Sequence, residues 1–475
     1  MNCRFLVIIF TTFLLISCND TVKVTRLSSN GCSSSTGVLD TTFGTSGALE
    51  IDNPISYVNS NKTDLIRSIT TDSAGNYLFT GTTWDDIFGG GGGTNFNVLI
   101  GKMNSSGTLD TSFGGGDGLI DKSGGGGTNA DESGYDIKIL STGEIVVVGS
   151  YLNGGTTDFL ISKWNTGGTV ESQILIDGVG IASCDTGAPS SNDGANALAV
   201  DSSDNLYLTG FCLDDSGDKN LLVMKTNSSG ALDTSFSPLG TAGVYNFAAG
   251  IGTNENGKDI VLTSSGSVIV AGTRENGTTS DTLLVKLTPT GVTDNTFGGG
   301  DGLIDAFVDG AIYKGQLNSI VLDSDENIYV AGRSHNGSNW DMTIWKYNSS
   351  GTLDTSWGNS GKLTYDQGGN EVANDIKIDS CGNKIVVFGS IDHITSGRDR
   401  TTIWRYNSSG TLDTSFGSGS GVVSNSLETT KNNSSNSGVI TSSGQYVTGG
   451  EIQQGTLDLA CSFANYCNLY ITKWD

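Results

Sequence analysis

The chain has 475 residues, and its 50 Asp and Glu against 25 Lys and Arg give a formal net charge of −25. A surface this acidic repels nucleic acid and anionic lipid headgroups, so we expect neither as a partner. The 69 glycines and only 4 prolines indicate a fold with many tight turns and exclude a disordered proline-rich chain.

The first element in the chain is an export signal. Arg4 precedes the apolar run FLVIIFTTFLLI, which leads into the tetrad LISC at 15–18. A cation, an apolar run and a small-residue end are together typical of a signal peptide, so we predict a cleaved one at 1–17. No later stretch of the sequence reaches the roughly 20 apolar residues of a membrane span.

The LISC tetrad resembles the bacterial lipobox. The resemblance implies that Cys18 becomes the mature N-terminus, carries the lipid, including palmitate, and anchors a lipoprotein of the cell envelope through the linker 18–34. Asn19 after this cysteine favours, under the sorting rule of some bacteria, the outer membrane or cell surface. The lipid is then the only membrane contact that we expect. An ordinary secretory signal with an incidental cysteine is the alternative.

A repeat fills 35–475, which we predict to be one domain. Segments such as DSSDNLYLTG end in a glycine, and these glycines lie 57 to 68 residues apart. They are Gly81, Gly149, Gly210, Gly272, Gly332, Gly389 and Gly449. Apolar runs that end in a cation follow them, at Lys102, Lys163, Lys225, Lys286, Lys346, Arg405 and Lys473. Two independent markers thus count seven units of about sixty residues.

Each unit contains four short predicted strands. In the third unit the runs NALAV (196–200) and NLYLTG (205–210) are joined by turn residues and predict a hairpin. The run LLVMK (221–225) and a weaker strand at 243–247 complete the unit. No window shows a sustained helical period. Four antiparallel strands repeated seven times predict an all-β, seven-bladed β-propeller, which we expect to be a monomer.

The repeat is circularly permuted along the chain. The last unit stops at LYITKWD (469–475), a third strand without the turn and fourth strand that follow it elsewhere. Those parts stand at the other end, as STGVLDTTFGTSGALEID (35–52). We therefore predict that the N-terminal segment closes the ring as the outermost strand of the last blade.

The turn after each third strand has the most regular sequence. KYNSSGTLDTSWG and RYNSSGTLDTSFG are its strongest copies, and they resemble the delta-60 repeats of bacterial propellers. The resemblance implies a propeller, often on exported or surface proteins, and no established activity. The second unit departs from the pattern, because WNTGGTVESQILIDG (164–178) lacks its Asp and Phe.

An aspartate recurs in this turn, at Asp40, Asp110, Asp233, Asp294, Asp354 and Asp413. Asp side chains cap the amides of turns, so we predict a structural role for them. Loops 110–121 and 294–305 offer carboxylates for Ca²⁺ but lack EF-hand spacing, so we expect no cofactor and keep calcium as the alternative. The glycine-rich stretches 88–94 and 123–128 lack the Lys-Ser/Thr pair of a phosphate loop.

Six cysteines remain if Cys3 is removed with the signal and Cys18 is acylated. An even number in an exported protein predicts disulfides. Placed on the predicted propeller, four of the cysteines share one face, which predicts the pairs 461–467 and 184–212. The other two fall on the opposite face in neighbouring blades and form a third predicted pair, 32–381. The residues concerned are Cys461, Cys467, Cys184, Cys212, Cys32 and Cys381. Free thiols are the alternative.

Catalysis has few candidate residues. The two histidines, His335 and His393, fall in separate units, which excludes a multi-histidine metal site and weakens any Ser-His-Asp triad. A carboxylate-based glycosidase needs only two acids about 5–10 Å apart. The first aligned position of the inner strands is predicted to line a water-filled channel, with a catalytic acid at its mouth as the alternative. These residues are Ser68, Asp136, Ala197, Asp259, Ser319, Asp375 and Ser437.

Binding is the function class that the sequence favours. The loops after the second and fourth strands share one face of a propeller, and here they hold the irregular segments 86–94, 179–192, 391–400 and 452–467. Variable loops on a rigid scaffold commonly bind partners. We predict anchors on this face at Trp84, Arg274, Arg333, Trp340 and Arg398. The sequence thus indicates a binding or scaffold module for a protein or glycan, with a carbohydrate-active enzyme, a glycosidase or lyase, as the alternative.

Overall fold

A computed structural model describes residues 35–51, 64–85, 95–122, 131–153, 155–176, 192–238, 241–277, 280–306, 315–380, 382–393, 398–424, 431–454 and 466–475. In these residues the chain forms 28 β-strands, and its helical structure there is one three-residue 3-10 turn at Gly417–Gly419. No helix within these ranges is long and apolar enough to cross a membrane.

The strands form seven four-stranded antiparallel sheets, numbered here as blades 1 to 7. Blade 1 contains β2 (Leu65–Thr71), β3 (Tyr77–Asp85), β4 (Asn95–Met103) and β5 (Leu119–Lys122). Blade 2 contains β6 (Glu132–Ile139), β7 (Ile145–Asn153), β8 (Thr156–Trp164) and β9 (Val170–Ile176). Blade 3 contains β10 (Gly194–Val200), β11 (Leu206–Leu213), β12 (Lys219–Thr226) and β13 (Val244–Phe247). Blade 4 contains β14 (Asn254–Leu262), β15 (Val268–Glu275), β16 (Ser280–Leu287) and β17 (Leu303–Ala306).

The remaining blades complete the ring. Blade 5 contains β18 (Gly315–Leu322), β19 (Ile328–His335), β20 (Trp340–Tyr347) and β21 (Lys362–Tyr365). Blade 6 contains β22 (Glu371–Asp379), β23 (Lys384–His393), β24 (Arg398–Tyr406) and β25 (Val422–Ser424). Blade 7 contains β26 (Asn433–Ile440), β27 (Tyr446–Gln454), β28 (Tyr466–Trp474) and β1 (Ala48–Ile51).

The first strand of each blade is the innermost one. These strands, β2, β6, β10, β14, β18, β22 and β26, contact one another in turn, and β26 contacts β2. The predicted seven-bladed β-propeller with four-stranded antiparallel blades is therefore confirmed. The connections of an antiparallel meander alternate between the two faces of the disc. We call the face with the first-to-second and third-to-fourth strand turns the uniform face, and the other the irregular face.

The hydrophobic core lies between the blades. Between blades 2 and 3, Val146 and Val148 of β7 pack with Leu208 of β11 and Met224 of β12 in one buried cluster. Similar clusters follow around the ring. Both sides of the central strands are covered, which explains why these strands are continuous apolar runs in the sequence.

A β-bulge in each inner strand explains the repeated glycine. In blade 1 the bulged residue is Arg67, where the register of β2 against β3 shifts. A β-carbon on Gly81, opposite this bulge, would lie 1.9 Å from the carbonyl oxygen of Leu65. Only glycine allows so close a backbone approach.

In blade 7 this glycine is Gly450, and the sequence prediction of Gly449 is off by one residue. A β-carbon on Gly450 would lie 1.9 Å from the carbonyl oxygen of Ser434, the same close approach as in the other blades. The run YVTGG contains two adjacent glycines, and unit spacing alone does not distinguish them.

The two ends of the described chain complete blade 7. Strand β1 pairs with β28 in the order β1-β28-β27-β26, with Ala48 opposite Thr472. The backbone N–H of Gly37 donates to the carbonyl oxygen of Asp475 at 2.6 Å. In blade 1 the corresponding turn is continuous and has the same bond, between Gly107 and Asn104. The predicted closure by the N-terminal strand is confirmed.

The repeated aspartate caps its turn and pairs with the cation of the third strand. Oδ1 of Asp233 accepts hydrogen bonds from the N–H and the hydroxyl of Ser235, at 3.0 and 2.5 Å. Its Oδ2 lies 2.8 Å from Nζ of Lys225. The bonds from Lys225 and Ser235 lower the pKa of Asp233 to about 2. The predicted capping role is confirmed, and in blade 2, which lacks this aspartate, Lys163 pairs with Glu144 at 2.9 Å.

The phenylalanine of the same turn packs against the next blade. Gly291 in blade 4 has a φ of 75°. A β-carbon there would lie 2.9 Å from the ring of Phe236 in blade 3. Beside it, the N–H of Ser237 donates to the carbonyl oxygen of Thr290 at 2.8 Å. The repeated NSSGTLDTSFG segment is therefore a contact between neighbouring blades.

Candidate functional site

The five predicted anchors belong to the ends of strands on the irregular face, and the structure brings two of them together. The guanidinium of Arg333 in β19 lies over the indole of Trp340 in β20, 4.5 Å from the ring centroid. Nε and a terminal nitrogen of Arg333 donate to Oε1 of Gln316 at 2.9 and 2.6 Å. Burial lowers the pKa of Arg333. The edge of the His335 ring also meets Trp340, with ring centroids 5.2 Å apart.

The other three anchors lie in different blades. Arg274 in β15 is 3.5 Å from the Glu255 carboxylate through Nε and also pairs with Asp305. Arg398 begins β24 in blade 6. Trp84 lies near the end of β3 in blade 1. These anchors therefore do not form one cluster, and their role in binding stays a prediction.

The irregular face contains a cleft that the sequence did not predict. It has a volume of about 210 Å³ and lies where blades 3, 4 and 5 meet. Its lining is almost entirely polar: Lys219, Asn254, Asn256, Lys258, Thr273, Glu275, Gln316 and Asn318. Gln316 also accepts the bonds from Arg333, so the Arg333 and Trp340 pair adjoins the cleft.

Lys258 is the unusual residue of this cleft, because it occupies the bulge of its inner strand. Four other blades have asparagine there, and its Nδ2 donates to a carbonyl oxygen of the next blade. The donors are Asn196, Asn318, Asn374 and Asn436, at 2.7 to 2.8 Å from Gly257, Ala373, Ser435 and Ile66. Burial and the charge of Lys219 lower the pKa of Lys258. Aligning the bulge positions of the units would have identified this residue from sequence.

A larger cleft on the uniform face is a weaker candidate for a ligand site, because the charge of its lysine is already paired. It has a volume of about 480 Å³ between blades 1 and 2 and is lined mainly by turn residues. Its lysine, Lys102, is already shared between Asp72 and Asp110, with Nζ 3.6 Å from each carboxylate. The cation of this cleft thus already faces two anions of the protein.

The polar ring of the inner strands exists, but its side chains join blades. Asp136 in blade 2 accepts hydrogen bonds from the N–H of Leu198 in blade 3 at 2.9 Å and from the hydroxyl of Ser68 in blade 1 at 2.7 Å. Asp375 in blade 6 accepts one from the N–H of Gly438 in blade 7 at 3.0 Å. Ser68, Asp136 and Asp375 are buried. The prediction of a water-lined ring is wrong, because the backbone of the neighbouring blades uses these side chains.

Two lysines offset the acids of this ring. Nζ of Lys138 lies 2.7 Å from Asp136, and Nζ of Lys377 lies 2.6 Å from Asp375. Burial acts to lower the pKa of Lys377, but attraction to the carboxylates of Asp375 and Asp259 is stronger, so the net effect is a raised pKa.

Asp136 and Asp375, which backbone N–H groups and lysines hold, are therefore poor candidates for an acid and base pair. Burial raises the pKa of the third ring acid, Asp259, but its Oδ2 accepts bonds from the hydroxyl of Ser319 and the N–H of Ile320.

Two of the predicted disulfide cysteines are described. Cys212 in β11 and Cys467 in β28 are each disulfide-bonded. The pairings 184–212, 461–467 and 32–381 stay predictions, because Cys184, Cys461, Cys32 and Cys381 lie outside the described residues, as does Cys18.

The loops considered for calcium are held by their own backbone. In loop 110–121, Oδ1 of Asp110 accepts a hydrogen bond from the N–H of Ser112, and its carboxylate lies 3.6 Å from Nζ of Lys102. Oδ1 of Asp117 accepts a hydrogen bond from the N–H of Leu119 at 3.0 Å. A separate group of three carboxylates lies between blades 5 and 6, at Asp341, Asp366 and Glu371, with ligand oxygens within 4.8 Å of one another.

The fold and the site define the class of this protein as a β-propeller with a polar cleft on one face. A family profile described as a "Domain of unknown function (DUF5122) beta-propeller" matches residues 263–297, 324–356 and 383–416. These stretches fall in blades 4, 5 and 6 and run from the first turn of the blade to its repeated third turn. The chain is similar to that family over about a fifth of its length.

The chain is distantly similar to several solved structures. The polysaccharide lyase Uly1 is 11% identical, with a TM-score of 0.44, over 88% of this chain and 91% of the lyase. Sqt1 of Chaetomium thermophilum is 9% identical, with a TM-score of 0.43, over 87% and 95%. A protein of unknown function from Dyadobacter fermentans is 10% identical, with a TM-score of 0.41, over 71% and 93%. No curated protein sequence matches the chain. Likenesses this distant carry no information on activity.

Proposed function

We propose that this propeller is a binding module of the cell envelope and that its cleft at blades 3 to 5 binds an acidic glycan. The observation that carries the proposal is the pair Lys219 and Lys258, which line one cleft on a chain with twice as many acids as cations. Two lysines on one cleft repel each other, and a carboxylate or sulfate between them would remove that repulsion.

The rest of the lining supports a sugar as the carrier of that charge. The amide oxygens of Asn254, Asn256 and Gln316 already accept bonds within the protein, so their NH₂ groups and the hydroxyl of Thr273 are the groups that can bind sugar hydroxyls. The volume of about 210 Å³ is below the roughly 300–1,000 Å³ of a typical small-molecule pocket. It therefore suits one sugar unit of a chain that continues over the irregular face.

A lyase that acts on uronates is the second candidate, because the pKa of Lys258 is lowered. A lysine with a lowered pKa is more often in the neutral form that a general base needs. It would take the proton next to the uronate carboxyl, the C–O bond to the glycosidic oxygen would break as a C=C double bond forms, and the leaving oxygen would gain a proton from water. A glycosidase is less well supported, since Glu275 is the single carboxylate in the described lining and the usual mechanism needs two.

The test of the cleft is a binding measurement with acidic and neutral glycans. We expect Lys258→Asn, which installs the residue of the neighbouring blades, to weaken binding of an acidic glycan about tenfold to a hundredfold, the worth of one charge-assisted hydrogen bond. Lys431→Ala is the matched control, because Lys431 lies on the same face and pairs with Glu50 at 3.4 Å. Isothermal titration measures both. Equal affinity for neutral glycans, or no loss in Lys258→Asn, would contradict the proposal, and an unsaturated ultraviolet-absorbing product would identify the lyase.

We also propose that the chain is exported and lipid-anchored through Cys18, on the strength of its lipobox-like tetrad. We expect Cys18→Ser to release the protein from membranes of a bacterial host and to abolish metabolic labelling with palmitate. Cys3→Ser, inside the signal, is the control and should change neither. A Cys18→Ser protein that stays with the membrane fraction would refute the anchor.

A further inference from the structure

Three carboxylates meet on the irregular face at the boundary between blades 5 and 6. Asp341 lies at the start of β20, Asp366 directly follows β21, and Glu371 begins β22. Their ligand oxygens lie within 4.8 Å of one another. Asp341 and Glu371 are buried, at 3% and 0% exposure, while Asp366 is exposed. Two neighbouring blades thus bring negative charge to one point.

The same place between blades 3 and 4 contains a cation. Glu255 in β14 corresponds to Glu371, and its cross-strand partner Arg274 approaches it to 3.5 Å. The cross-strand partner of Glu371 is Ile391, which carries no charge. The boundary between blades 5 and 6 has therefore lost the cation of its counterpart.

This boundary also has an acid that the boundary between blades 3 and 4 lacks. The third strand of blade 3 has a neutral residue, Asn220, five residues before its cation Lys225. The third strand of blade 5 has Asp341 at the same distance before Lys346. Burial and the charges of Asp366 and Asp341 raise the pKa of Glu371 to about 7.

The protein itself satisfies only part of this cluster. The backbone N–H groups of Gln367 and Gly369 both stabilise the Glu371 carboxylate, with Gln367 donating to Oε1 at 3.2 Å. The buried Oε2 of Glu371 has no hydrogen bond of good geometry. Both oxygens of Asp341 accept from one nitrogen, Nδ2 of Asn336, at 3.0 and 3.1 Å. Burial and the charge of Asp366 raise the pKa of Asp341, and they outweigh the opposing charges of Lys362 and His335. A fully buried carboxylate oxygen without a well-formed hydrogen bond is costly, and it points toward a ligand.

We propose that Asp341, Asp366 and Glu371 bind a divalent cation, Ca²⁺, between blades 5 and 6. Hard oxygen ligands from carboxylates and loop carbonyls are the donor set of Ca²⁺, which accepts irregular geometry. Mg²⁺ demands a near-ideal octahedron and keeps most of its water, so it suits this three-carboxylate group less well. The ion would supply the charge that Arg274 supplies between blades 3 and 4, and it would join two blades. This site is independent of the glycan cleft.

The experiment is thermal unfolding of the full chain with EDTA, Ca²⁺ or Mg²⁺. We expect the melting temperature to rise with Ca²⁺ and to saturate by about 1 mM, the range of extracellular calcium modules. Tb³⁺ used in place of Ca²⁺ should show emission sensitised by Trp340, the neighbour of Asp341 in the chain. Glu371→Gln should abolish both responses, and Glu255→Gln, the corresponding change in blade 4, should keep both.

Several outcomes would overturn the proposal. One is a melting temperature that Ca²⁺ does not change, and another is an equal Ca²⁺ response in wild type and Glu371→Gln. Equal stabilisation by Mg²⁺ would overturn the assignment to calcium. The Glu371→Gln protein is expected to fold, because the substitution removes a negative charge from a repulsive group. Its melting temperature in EDTA should be at or above that of the wild type, which separates lost binding from lost folding.

Discussion

Deletion of residues 33–52 should convert a cooperatively folding propeller into an aggregating protein. The deletion removes β1, so β28 loses its outer partner and becomes an exposed edge that can pair with other chains. It also removes Phe43 and Ile51, which are buried, and Phe43 packs on Tyr77 of blade 1 with ring centroids 6.2 Å apart. Loss of one buried phenylalanine alone costs about 3–5 kcal/mol. We expect the melting temperature to fall by roughly 10 °C or more.

A circular permutant is the control for this deletion. Because Gly37 and Asp475 are hydrogen-bonded, a short linker can join the two ends, and new termini can be placed in the irregular segment 86–94. The permutant keeps β1 beside β28 and should melt close to the wild type. Calorimetry and size-exclusion chromatography measure both proteins. A truncated chain that stays monomeric and melts cooperatively at the wild-type temperature would show that the N-terminal strand is dispensable.

Replacement of Arg405 by alanine should destabilise the protein by about 3 kcal/mol, the low end of the effect of breaking a buried ion pair, because its partner Asp413 keeps Lys384 at 3.0 Å. The Arg405 side chain is 2% exposed, and its Nε lies 2.9 Å from Oδ2 of Asp413. One terminal nitrogen donates to the carbonyl oxygen of Ser35 at 2.7 Å and to the hydroxyl of Tyr446 at 3.2 Å. That hydroxyl donates to Asp379 at 2.9 Å. One side chain thus connects the N-terminal segment with blades 6 and 7.

Urea unfolding measures this effect against two related variants. Arg405→Lys has the lysine that most other blades have and keeps the pair with Asp413, but it lacks the forked donors for Ser35 and Tyr446. Its free energy of unfolding should therefore lie between those of wild type and Arg405→Ala. Lys225→Ala in blade 3 removes a cation whose side chain is 14% exposed, and it should cost only about 1 kcal/mol. An Arg405→Ala protein within about 1 kcal/mol of the wild type would contradict the prediction.

The fold could be predicted from the sequence because its information is redundant. Each blade repeats a glycine and a cation at similar spacing, all blades but blade 2 add an aspartate, and the permuted ends identify where the ring closes. The register of Gly450 could not be predicted in the same way, because blade 7 has two adjacent glycines, Gly449 and Gly450, and the spacing of the units fits either one. The role of Asp136 and Asp375 was also missed, since their partners are backbone amides of other blades.

The candidate site was predicted less well than the fold. The sequence identified the irregular face, and it singled out Arg333 and Trp340, which the structure brings together. It missed Lys258, because the bulge breaks the alternation by which side chains are assigned to a face. It missed Asp341 and Glu371 because acids are abundant in this chain, and only blade packing brings these two together.

The position of the ring closure also determines which way an anchored molecule would face. Ser35, the first described residue, lies on the uniform face beside Arg405. If Cys18 carries the lipid, the lipid is joined to that face through residues 18–34, a length of chain that can reach at most about 60 Å. The repeated turns would then be directed at the bilayer, and the polar cleft and the carboxylate group would be presented to the medium. A propeller whose termini, and therefore its lipid anchor, lay in a loop of the irregular face would instead have its binding surface against the membrane.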